Sequence, residues 1–507
     1  MKKIFSLSLL TLFHLSLLVS SATGQVDYEK LDAYLAKTVA DYQVPGLAIA
    51  VVKDGQTVFS HGYGLRDTGT DKPITPSSLF GIASCSKAFT ATCIGMLVDE
   101  GKLNWDDRVI DHLPDFQLYD PYITRELRVR DLLCHRAGFD TFDGDLLWYG
   151  TSYSREEIVR RIRYLPLKNS FRSKFGYSNV MFITAGEVVE AVSGMSWDEF
   201  VQKRIFDPLE MKDATTTNQH FKKKDERALP HLQGKVTEDI NYDNSGPAAS
   251  LNASVSDLSH WLTFWLGGGK YGDKQLLSPQ SWKEITSAQT AQNPSNLEQQ
   301  MGIHFESYAL GWRIFDYAGR KVVEHDGGLP GYISKVAFLP EENLGLVILT
   351  NGMPAVLNMA LRNEVIDRFM GRPENDWAGR MLSIEKNYLA YVAGQKTERE
   401  QTQIKGTQPS LAMADYSGKY EDKMYGPAEV EIRDGKLFIT LIPTATLFSG
   451  ELKHWHYNTF RVDFADPFLP FGLVVFEMDS GGKVTGFTID LPNPDFNFYN
   501  LKFEKKE

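Results

Sequence analysis

Segments that predict β-strands occur at both ends of the first three quarters of the chain, and a long helical stretch separates them. Residues 46–59 have the composition of a strand, a turn and a returning strand, and residues 334–339 and 345–350 form two further β-rich runs. From Ser84 to about Leu209 the apolar spacing predicts mainly helices. Because helices lie between strands from the two ends of one segment, both ends must contribute to one sheet. The sequence therefore predicts an α/β (α+β) domain.

The composition of the chain changes after Pro373. Residues 376–403 form a mostly polar helical stretch, and residues 405–410 contain the glycine, threonine and proline typical of a linker. The following residues are dense in aromatic side chains, and Asp434-Gly435 between two alternating runs predicts a β-hairpin. We expect a small all-β barrel or sandwich here. The predicted limits are residues 25–372 for the first domain, 373–410 for a helical linker and 411–507 for the barrel.

Residues 1–24 predict a cleavable secretory signal. Lys2 and Lys3 precede an apolar run over residues 4–19, and small residues follow it. The alternative is an uncleaved membrane anchor, but the run contains serines and a histidine and ends in small residues. We therefore expect a mature chain that begins near Gln25 and has no stable membrane insertion. The protein is predicted to be secreted, which in a bacterium means the periplasm.

The charge and the cysteine content exclude two classes of protein. The formal net charge is −11, and removal of the predicted signal, with two lysines and no acidic residue, makes it −13. Phosphate backbones repel such a protein, so we predict no nucleic-acid partner. The cysteines Cys85, Cys93 and Cys134 are too few for a disulfide framework. We expect free, buried thiols and a fold that depends on core packing.

A serine followed three residues later by a lysine marks a candidate nucleophile. Ser84 and Lys87 stand at the start of a helical pattern that extends to Glu100, and residues three apart share one face of a helix. A serine hydroxyl needs a base, and a lysine can serve when burial or a nearby cation lowers its pKa. By itself the pair also fits a helix N-cap serine followed by a solvated lysine. The same spacing recurs at Ser480 and Lys483, where the flanking residues predict a surface turn.

Acyl transfer by Ser84 needs a second proton-handling group and a way to hold the substrate. Tyr177 and Asn179 precede a helical run, so both are expected to project from a loop or a first turn. Tyr177 can relay a proton if the neighbouring Lys87 lowers its pKa. Tyr242 belongs to a second copy of this spacing, but no helix follows it closely. We therefore treat Tyr242 as a decoy.

His325, Gly327 and Gly328 end a predicted strand. Glycines at the edge of a strand let a ligand approach the backbone closely. The backbone amides of Ser84 and Gly328 are then predicted to form an oxyanion hole.

Together these motifs resemble those of a known family. Ser84-x-x-Lys87, Tyr177-x-Asn179 and His325-x-Gly327 are similar to the three signature elements of the serine β-lactamase and penicillin-binding protein superfamily, in the branch of class C β-lactamases and D,D-peptidases. Further landmarks of this family are matched at residues 80–83, 131–138, 207–211 and 350–352.

The resemblance implies a fold and a set of roles. The fold is an antiparallel sheet flanked by helices plus a mainly helical lobe, in a catalytic domain of residues 25–372. Ser84 is the implied nucleophile, Lys87 and Tyr177 the general base and acid, and Asn179 a substrate clamp. The tail, residues 411–507, resembles the lipocalin-like domain that is appended to some of these hydrolases.

One departure from the family pattern bears on the substrate. The third motif usually opens with lysine, a fixed cation suited to a carboxylate, whereas His325 is mostly neutral at pH 7. We therefore expect a serine hydrolase or acyltransferase that acts on ester or amide acyl donors and takes a small-molecule or peptide acyl substrate. It would be an esterase, a D-aminoacyl amidase or peptidase, or a transacylase onto a small alcohol or amine. The alternatives are a β-lactamase or D,D-carboxypeptidase, and a non-catalytic receptor that binds acyl donors or penicillin.

The sequence predicts neither a cofactor nor a metal. It contains no zinc-peptidase motif, Walker loop or dinucleotide fingerprint. His454 and His456 are a weak metal signal, since no carboxylate or thiolate partner stands nearby. A homo-oligomer is compatible with the sequence.

Overall fold

The computed structural model describes residues 26–506, so the predicted signal at residues 1–24 lies outside the described residues. Two parts follow each other along the chain: a mixed α/β part with one large sheet, and a closed β-barrel at the C-terminal end. Over the described range, no helix combines the length and the apolar character needed to cross a membrane.

Helices dominate the part of the chain in which the apolar spacing predicts them. Between α2 and α8 the chain consists of helices and the loops that join them. The α-helices of the described residues are α1 (Tyr28–Tyr42), α2 (Ser86–Asp99), α3 (Val109–His112), α4 (Pro121–Glu126), α5 (Val129–Leu132), α6 (Arg155–Arg161), α7 (Asn179–Ser193), α8 (Trp197–Val201), α9 (Asn218–Phe221), α10 (Gly246–Ala249), α11 (Val255–Leu266), α12 (Pro279–Ile285), α13 (Asn296–Gln300), α14 (Leu357–Phe369), α15 (Trp377–Gln401) and α16 (Met413–Tyr416).

The strands of the first part come from both of its ends. They are β1 (Gly46–Lys53), β2 (Gln56–Gly64), β3 (Phe80–Gly81), β4 (His231–Leu232), β5 (Lys235–Val236), β6 (Asn252–Ala253), β7 (Lys270–Tyr271), β8 (Lys274–Gln275), β9 (Thr290–Gln292), β10 (Glu306–Tyr308), β11 (Arg313–Tyr317), β12 (Arg320–Leu329), β13 (Tyr332–Leu339) and β14 (Leu344–Thr350).

One eight-stranded antiparallel sheet joins these ends in the order β2-β1-β14-β13-β12-β11-β10-β9. The N-terminal and C-terminal strands meet where β1 pairs with β14, from Leu47 opposite Thr350 to Lys53 opposite Leu344. The prediction of an antiparallel sheet built from both ends, flanked by helices, is confirmed. This topology places the end of β12, with the third motif, beside the start of α2.

Helices cover both faces of the sheet, which explains why β1 is a continuous apolar run. Successive side chains of a strand point to opposite faces. Leu47, Ile49 and Val51 pack in a cluster with α1, α14 and the start of α15. Ala48, Ala50 and Val52 belong to the larger cluster that contains α2, α7 and α11. The second face therefore packs against the helices that carry the motifs.

The helix after the candidate nucleophile differs from the prediction at its start. It begins at Ser86 instead of Ser84, because Ala83–Cys85 form a separate 3-10 turn. In addition, the helical pattern does not reveal how deeply α2 lies, since every residue from Ser86 to Leu97 is buried. Helices pack around α2 on all sides, so it is a central element of the core. The three cysteines are free and buried, as predicted.

The C-terminal part is a closed antiparallel barrel, which confirms the predicted small all-β unit. Its strands are β15 (Gly418–Asp422), β16 (Gly426–Arg433), β17 (Lys436–Leu441), β18 (Ser449–His456), β19 (Thr459–Val462), β20 (Gly472–Met478), β21 (Val484–Asp490) and β22 (Lys502–Lys505). Consecutive strands pair, and β15 closes the barrel on β22. Asp434 and Gly435 form the predicted hairpin turn with positive φ angles of 48° and 74°.

Aromatic side chains fill the interior of the barrel. Phe476 packs against Tyr416 and Phe487 at ring-centroid distances of 4.9 and 5.7 Å, and Phe487 lies 4.7 Å from Phe503. A small barrel whose interior is packed in this way offers its loops for binding, since side chains occupy the lumen.

The barrel packs tightly against the first part of the chain. Tyr149 donates a hydrogen bond to Asp466 Oδ2 at 2.9 Å, and Tyr153 donates to the backbone oxygen of Tyr425 at 2.7 Å. A single buried cluster runs from the core around α2 into the barrel interior. The two parts therefore share a continuous core, which the sequence did not indicate.

Helix α15 occupies the predicted linker but packs on the first part. Trp377 and Met381 are buried in the cluster on the outer face of the sheet. The Glu385 carboxylate accepts hydrogen bonds from the backbone amides of Ala355 and Val356, both at 3.0 Å. The first half of α15 is thus tied to the first part of the chain, while the limits at residues 372 and 410 stay predictions.

Candidate active site

Ser84 and Lys87 meet as the sequence predicts. Ser84 lies in the 3-10 turn before α2, and Lys87 lies in the first turn of that helix. The distance between Lys87 Nζ and Ser84 Oγ is 2.9 Å. Ala83, directly before the serine, has a φ of 49°, a left-handed conformation that residues with a side chain adopt rarely. The turn that presents Ser84 is therefore a strained one, as is common at functional sites.

Lys87 is fully buried, and its environment suits a base. Its Nζ has three hydrogen-bond acceptors: Ser84 Oγ at 2.9 Å, Asn179 Oδ1 at 2.6 Å and the Ala248 backbone oxygen at 2.9 Å. A neutral amine can donate to two of these oxygens and turn its lone pair toward the third, the Ser84 hydroxyl. Burial lowers the pKa of Lys87 to about 7, although Asp145 opposes the shift. Lys87 can therefore accept the serine proton near neutral pH.

This pKa predicts how the reaction depends on pH. Neutral Lys87 is the active base, so kcat/KM is expected to rise with pH and to level off above about 7. Below about pH 7, kcat/KM should fall about tenfold per pH unit, because the reaction requires one group in its deprotonated form. The measurement is a pH–rate profile from about pH 5 to 9 under steady-state conditions.

A His325→Gln variant is the control for this profile. Burial lowers the pKa of His325 to about 3, so its imidazole stays neutral over the range measured. The residual activity of the variant should keep its acidic limb near pH 7. If the acidic limb of the pH–rate profile disappears in His325→Gln, the group that titrates is His325, and this result would contradict the role of Lys87.

Tyr177 precedes α7, and its ring packs in the wall of the site. Its centroid lies 4.1 Å from that of His135 and 5.4 Å from that of Phe142, and Lys87 Nζ lies 4.7 Å from it. Burial raises the pKa of Tyr177 above its usual value, although contact with the Ser84 hydroxyl lowers it. The expectation that Lys87 lowers this pKa is therefore wrong, because burial dominates. The phenol is protonated at neutral pH and can act as a proton donor.

Asn179 connects Lys87 to a carboxyl group that the sequence analysis missed. Its Oδ1 accepts from Lys87 at 2.6 Å, and its Nδ2 donates to Asp145 Oδ2 at 2.6 Å. Asp145 is buried, and burial raises its pKa to about 8. In the free protein Asn179 thus orients Lys87, and its role as a substrate clamp stays a prediction. No motif spacing identifies Asp145, because it reaches Asn179 from a separate 3-10 turn, Asp145–Leu147.

His325 lies on β12 as a neutral side chain. Its Nδ1 is 2.5 Å from the backbone oxygen of Asp326, and its Nε2 is 2.7 Å from the Tyr308 hydroxyl. A carbonyl oxygen only accepts, so Nδ1 carries the proton and Nε2 accepts from Tyr308. Burial lowers the pKa of His325 to about 3, and Lys87 acts in the same direction. The third motif therefore presents no cation at this position.

The two glycines of the third motif have different surroundings. A Cβ on Gly327 would lie 2.2 Å from Ser334 Oγ and 2.3 Å from the backbone oxygen of Ile82, so only glycine allows β12 to approach this backbone. A Cβ on Gly328 would meet only Ile333 Cδ1, at 3.5 Å. Gly328 instead leaves open space beside Ser84 in the cavity. Its role in an oxyanion hole stays a prediction.

A cation does lie beside the third motif, but acidic side chains already pair with it. Lys335 stands opposite Asp326 in the sheet and forms ion pairs with Asp326 and, at 3.2 Å, with Glu324. Glu324 is fully buried and also pairs with Arg313 at 3.0 Å and Arg362 at 2.8 Å. Burial alone would raise the pKa of Glu324, but these cations hold that pKa below its usual value. This network anchors β12 next to the catalytic turn.

Removal of Glu324 is expected to destabilise the fold strongly. A Glu324→Ala variant leaves the fully buried Arg362 without the carboxylate that its Nη1 contacts at 2.8 and 2.9 Å. Breaking a buried ion pair by removing one partner costs about 3–5 kcal/mol. Urea-induced unfolding measures the change. The matched control, Glu451→Ala, breaks an exposed pair with Lys436 and should cost less than about 1 kcal/mol. Equal losses in the two variants would contradict the prediction.

His135 is a further supporting residue that the motifs did not single out. It has a φ of 57°, and its Nδ1 accepts a hydrogen bond from the backbone amide of Ser178 at 2.9 Å. Its ring lies 4.1 Å from that of Tyr177 and 4.4 Å from that of Tyr308. His135 therefore helps to position Tyr177 and Ser178, on the side of the second motif where its ring packs. The only sequence signal was its place in a family landmark.

The two decoys lie elsewhere, as predicted, although the expectation that no helix closely follows Tyr242 is wrong, since α10 begins four residues later. Ser480 is exposed in the turn between β20 and β21. Tyr242 is buried, with its ring 6.0 Å from that of Tyr149 at the contact with the barrel. Within residues 26–506, neither side chain lines the cavity at Ser84.

The predicted site residues meet at one cavity of ≈ 760 Å³. Its lining includes Ser84, Tyr177, Asn179, His325, Gly327 and Gly328, and Lys87 lies buried behind Ser84. The volume is in the range of small-molecule sites. Among the residues that the structure describes, no three His, Cys, Asp or Glu side chains lie close enough to hold a metal ion. The arrangement has the parts of an acyl-transfer site: a nucleophile, a buried base and a protonated phenol.

Comparisons with known proteins place this site in a family. A family model described as Beta-lactamase matches residues 31–369, and one described as a domain of unknown function, DUF3471, matches residues 402–505. The unguisins hydrolase ungD of Aspergillus violaceofuscus is 27% identical over 79% of this chain and 76% of that protein. Protein flp of Staphylococcus aureus strain MW2 is 27% identical over 64% of this chain and 63% of that protein.

The fold recurs in a solved structure. The octameric penicillin-binding protein homologue from Pyrococcus abyssi matches with a TM-score of 0.61 and 20% identity, over 94% of this chain and all of that chain. At this identity the likeness shows the fold alone. The Beta-lactamase match covers well over half of the chain. This chain therefore belongs to the Beta-lactamase family, a family of serine hydrolases that share the fold of serine β-lactamases and penicillin-binding proteins.

Proposed function

We propose that this protein is a secreted serine hydrolase or acyltransferase that forms an acyl-enzyme on Ser84 from ester or amide acyl donors. The observation that carries the proposal is the 2.9 Å contact between the buried amine of Lys87 and the Ser84 hydroxyl. Because burial lowers the pKa of Lys87 to about 7, the amine is available as a base at neutral pH.

In the acylation step, Ser84 Oγ attacks the carbonyl carbon of the donor and its proton passes to Lys87 Nζ. The amides of Ser84 and Gly328 are proposed to stabilise the oxyanion. When the bond to the leaving group breaks, that group takes a proton from the Tyr177 phenol, and Lys87 returns the serine proton to Tyr177. The products are the Ser84 ester and the protonated leaving group, so protons balance.

In the second step, an acceptor attacks the Ser84 ester with the same residues in reversed roles. Attack by water gives hydrolysis, and attack by an alcohol or an amine gives transfer. The hydrolase name of the Aspergillus relative supports hydrolysis. Hydrolysis and acyl transfer are therefore proposed as two outcomes of the same acyl-enzyme, and the access of water or of another acceptor to the Ser84 ester decides between them.

The β-lactamase or carboxypeptidase alternative receives less support from the site. Such substrates carry a carboxylate, which a fixed cation binds well. Here His325 is neutral, and Lys335 is paired with Asp326 and Glu324. Arg313 is likewise paired with three carboxylates. A donor without a free carboxylate fits these charges better.

Mass spectrometry of the intact protein tests the proposal. A fluorophosphonate probe should add its mass to the native protein, and a panel of p-nitrophenyl esters, D-aminoacyl amides and a cephalosporin should identify the donor class. We expect turnover of esters or amides, with a sterol or another alcohol as an optional acceptor. Fast turnover of the cephalosporin would favour the β-lactamase alternative. Native protein that stays unlabelled would favour a receptor.

Secretion and assembly are further parts of the proposal. Residues 1–24 support secretion, and N-terminal sequencing of the mature protein should begin near Gln25.

The Pyrococcus homologue is described as octameric, which supports a homo-oligomer here, and light scattering measures the mass in solution. A mass of one chain at working concentrations would contradict assembly.

A further inference from the structure

The cavity that holds Ser84 has an end that the proposed mechanism does not use. Leu329 ends β12 directly after Gly328, and it lines this cavity. Consecutive Cα atoms are about 3.8 Å apart, so this end begins beside the amide that is predicted for the oxyanion hole. A substituent on the carbonyl carbon of a donor is therefore within reach of it.

Side chains from three segments of the chain line this end of the cavity, and most of them are apolar. The segments are the turn from β12 to β13, the residues from the end of β14 into α14, and α15. The apolar end, as we call it, is lined by Leu329, Ile333, Met353, Pro354, Met359 and Tyr388. Asn358 lies among them, but its amide oxygen is covered and accepts no hydrogen bond within residues 26–506.

The fold holds these three segments together. Helix α14 packs on β13. The Glu385 carboxylate on α15 accepts hydrogen bonds from the backbone amides of Ala355 and Val356, both at 3.0 Å. Tyr388 follows Glu385 by three residues, and residues three apart share one face of a helix. Tyr388 therefore stands on the face of α15 that meets the loop of Met353, and both side chains line the cavity.

Large apolar side chains remain open to solvent at the apolar end. Tyr388 is 49% exposed and Met353 is 38% exposed, whereas Leu329 is buried. A ligand group that displaces water from such surfaces gains free energy in proportion to the apolar area that it covers. Exposed apolar side chains that adjoin a catalytic cavity therefore favour an apolar ligand group.

The character of the lining indicates the kind of apolar group. The basic side chains of the cavity lining are paired with acidic ones, Arg313 with Glu298 and Lys335 with Asp326. Methionine side chains are flexible and unbranched, and they adjust their shape to a ligand. A chain of methylene groups requires no polar partner and fits a surface of this kind.

We propose that the apolar end is a subsite for an unbranched alkyl chain on the carbonyl carbon of the donor, and that α15 supplies Tyr388 to this subsite. Tyr388 and Met353 are thus specificity-determining residues outside the three motifs, and esters or amides of straight-chain fatty acids are the donor class. The inference rests on the proposed acylation of Ser84 and names the acyl group that is transferred.

Protection of Ser84 from a fluorophosphonate probe tests the subsite. Octylboronic acid and propylboronic acid add reversibly to a serine oxygen, and they differ only in the length of one unbranched alkyl chain. In the native protein, octylboronic acid should slow labelling at a concentration at least about tenfold lower than propylboronic acid. Burial of even part of the additional methylene groups has an effect of this size.

Single variants test where the chain lies. In Tyr388→Asn and in Met353→Asn the preference for octylboronic acid should fall about threefold or more, because apolar area is lost from the subsite. The matched control is Tyr391→Asn, which replaces a 63% exposed tyrosine of the same helix that does not belong to the described lining of the cavity. This control should keep the native preference. Circular dichroism spectra that match the native one show that the variants are folded.

The outcomes separate this inference from the proposed function. If the native protein is not labelled, the proposed acylation of Ser84 is wrong. If it is labelled but the two boronic acids protect equally, or neither protects, the alkyl subsite is wrong. A native preference that persists in both Tyr388→Asn and Met353→Asn would place the chain elsewhere and overturn the inference. An equal loss in Tyr391→Asn would remove Tyr388 from recognition.

Discussion

Substitution of Ser84 by alanine is expected to lower kcat by on the order of a million-fold, because removal of the nucleophile in a serine hydrolase has an effect of this size. Without Oγ no covalent acyl-enzyme can form, while Lys87 keeps its other acceptors, Asn179 and the Ala248 backbone oxygen. The fold should therefore survive. Steady-state kinetics on the preferred donor, together with the intact mass after incubation with a fluorophosphonate, measure the loss.

A matched control for this variant exists within the same chain. Ser480 has the same spacing to a lysine but lies in an exposed turn of the barrel. Ser480→Ala should keep native kinetics and native labelling. A labelled Ser84→Ala protein, or an equal loss from Ser480→Ala, would show that the nucleophile lies elsewhere.

Substitution of Tyr177 by phenylalanine is expected to lower kcat by about 100- to 10,000-fold, the usual effect of removing a proton-transfer group. The ring keeps its packing on His135 and Phe142, so the hydroxyl facing Ser84 is the only group removed. The loss should depend on the leaving group. The p-nitrophenolate of a p-nitrophenyl ester leaves without taking up a proton, whereas the amine of an amide must be protonated. The variant should therefore lose less kcat on the ester than on the amide.

Two measurements distinguish this role from a structural one. Tyr242→Phe removes a buried hydroxyl outside the cavity lining and should change the kinetics little. Equal losses from Tyr177→Phe and Tyr242→Phe would contradict the assignment. A loss that is the same for esters and amides would indicate that Tyr177 positions Ser84 and does not protonate the leaving group.

Much of the fold was predictable because its signals are local. Period-two apolar runs, turn residues such as Asp434-Gly435 and helical spacing each depend on neighbours in sequence. The order of these elements indicated that strands from both ends share one sheet, and the structure joins the two ends where β1 pairs with β14. The start of α2 was misplaced by two residues because a 3-10 turn over Ala83–Cys85 leads directly into the helix, and apolar spacing does not distinguish the two kinds of turn.

Of the candidate site, only the three motifs could be predicted from the sequence. The spacing of Ser84 and Lys87 places them on one turn, and their contact at 2.9 Å agrees with it. The rise in the pKa of Tyr177 was not foreseen, because it depends on how completely other elements cover the ring. Asp145 was missed because its hydrogen bond to Asn179 joins a 3-10 turn to the start of α7, two segments that lie 34 residues apart in the sequence.

The sequence by itself determined the family, the three motifs and the class of fold, since these depend on residue identity and on spacing along the chain. Only the tertiary structure decided the protonation of the site, because burial by distant elements lowers the pKa of Lys87 and raises that of Tyr177. It also decided that the barrel reaches the active site. Asp495 lies more than four hundred residues after Ser84, and packing of the barrel on the helical lobe, which sequence spacing does not encode, places the two at one cavity.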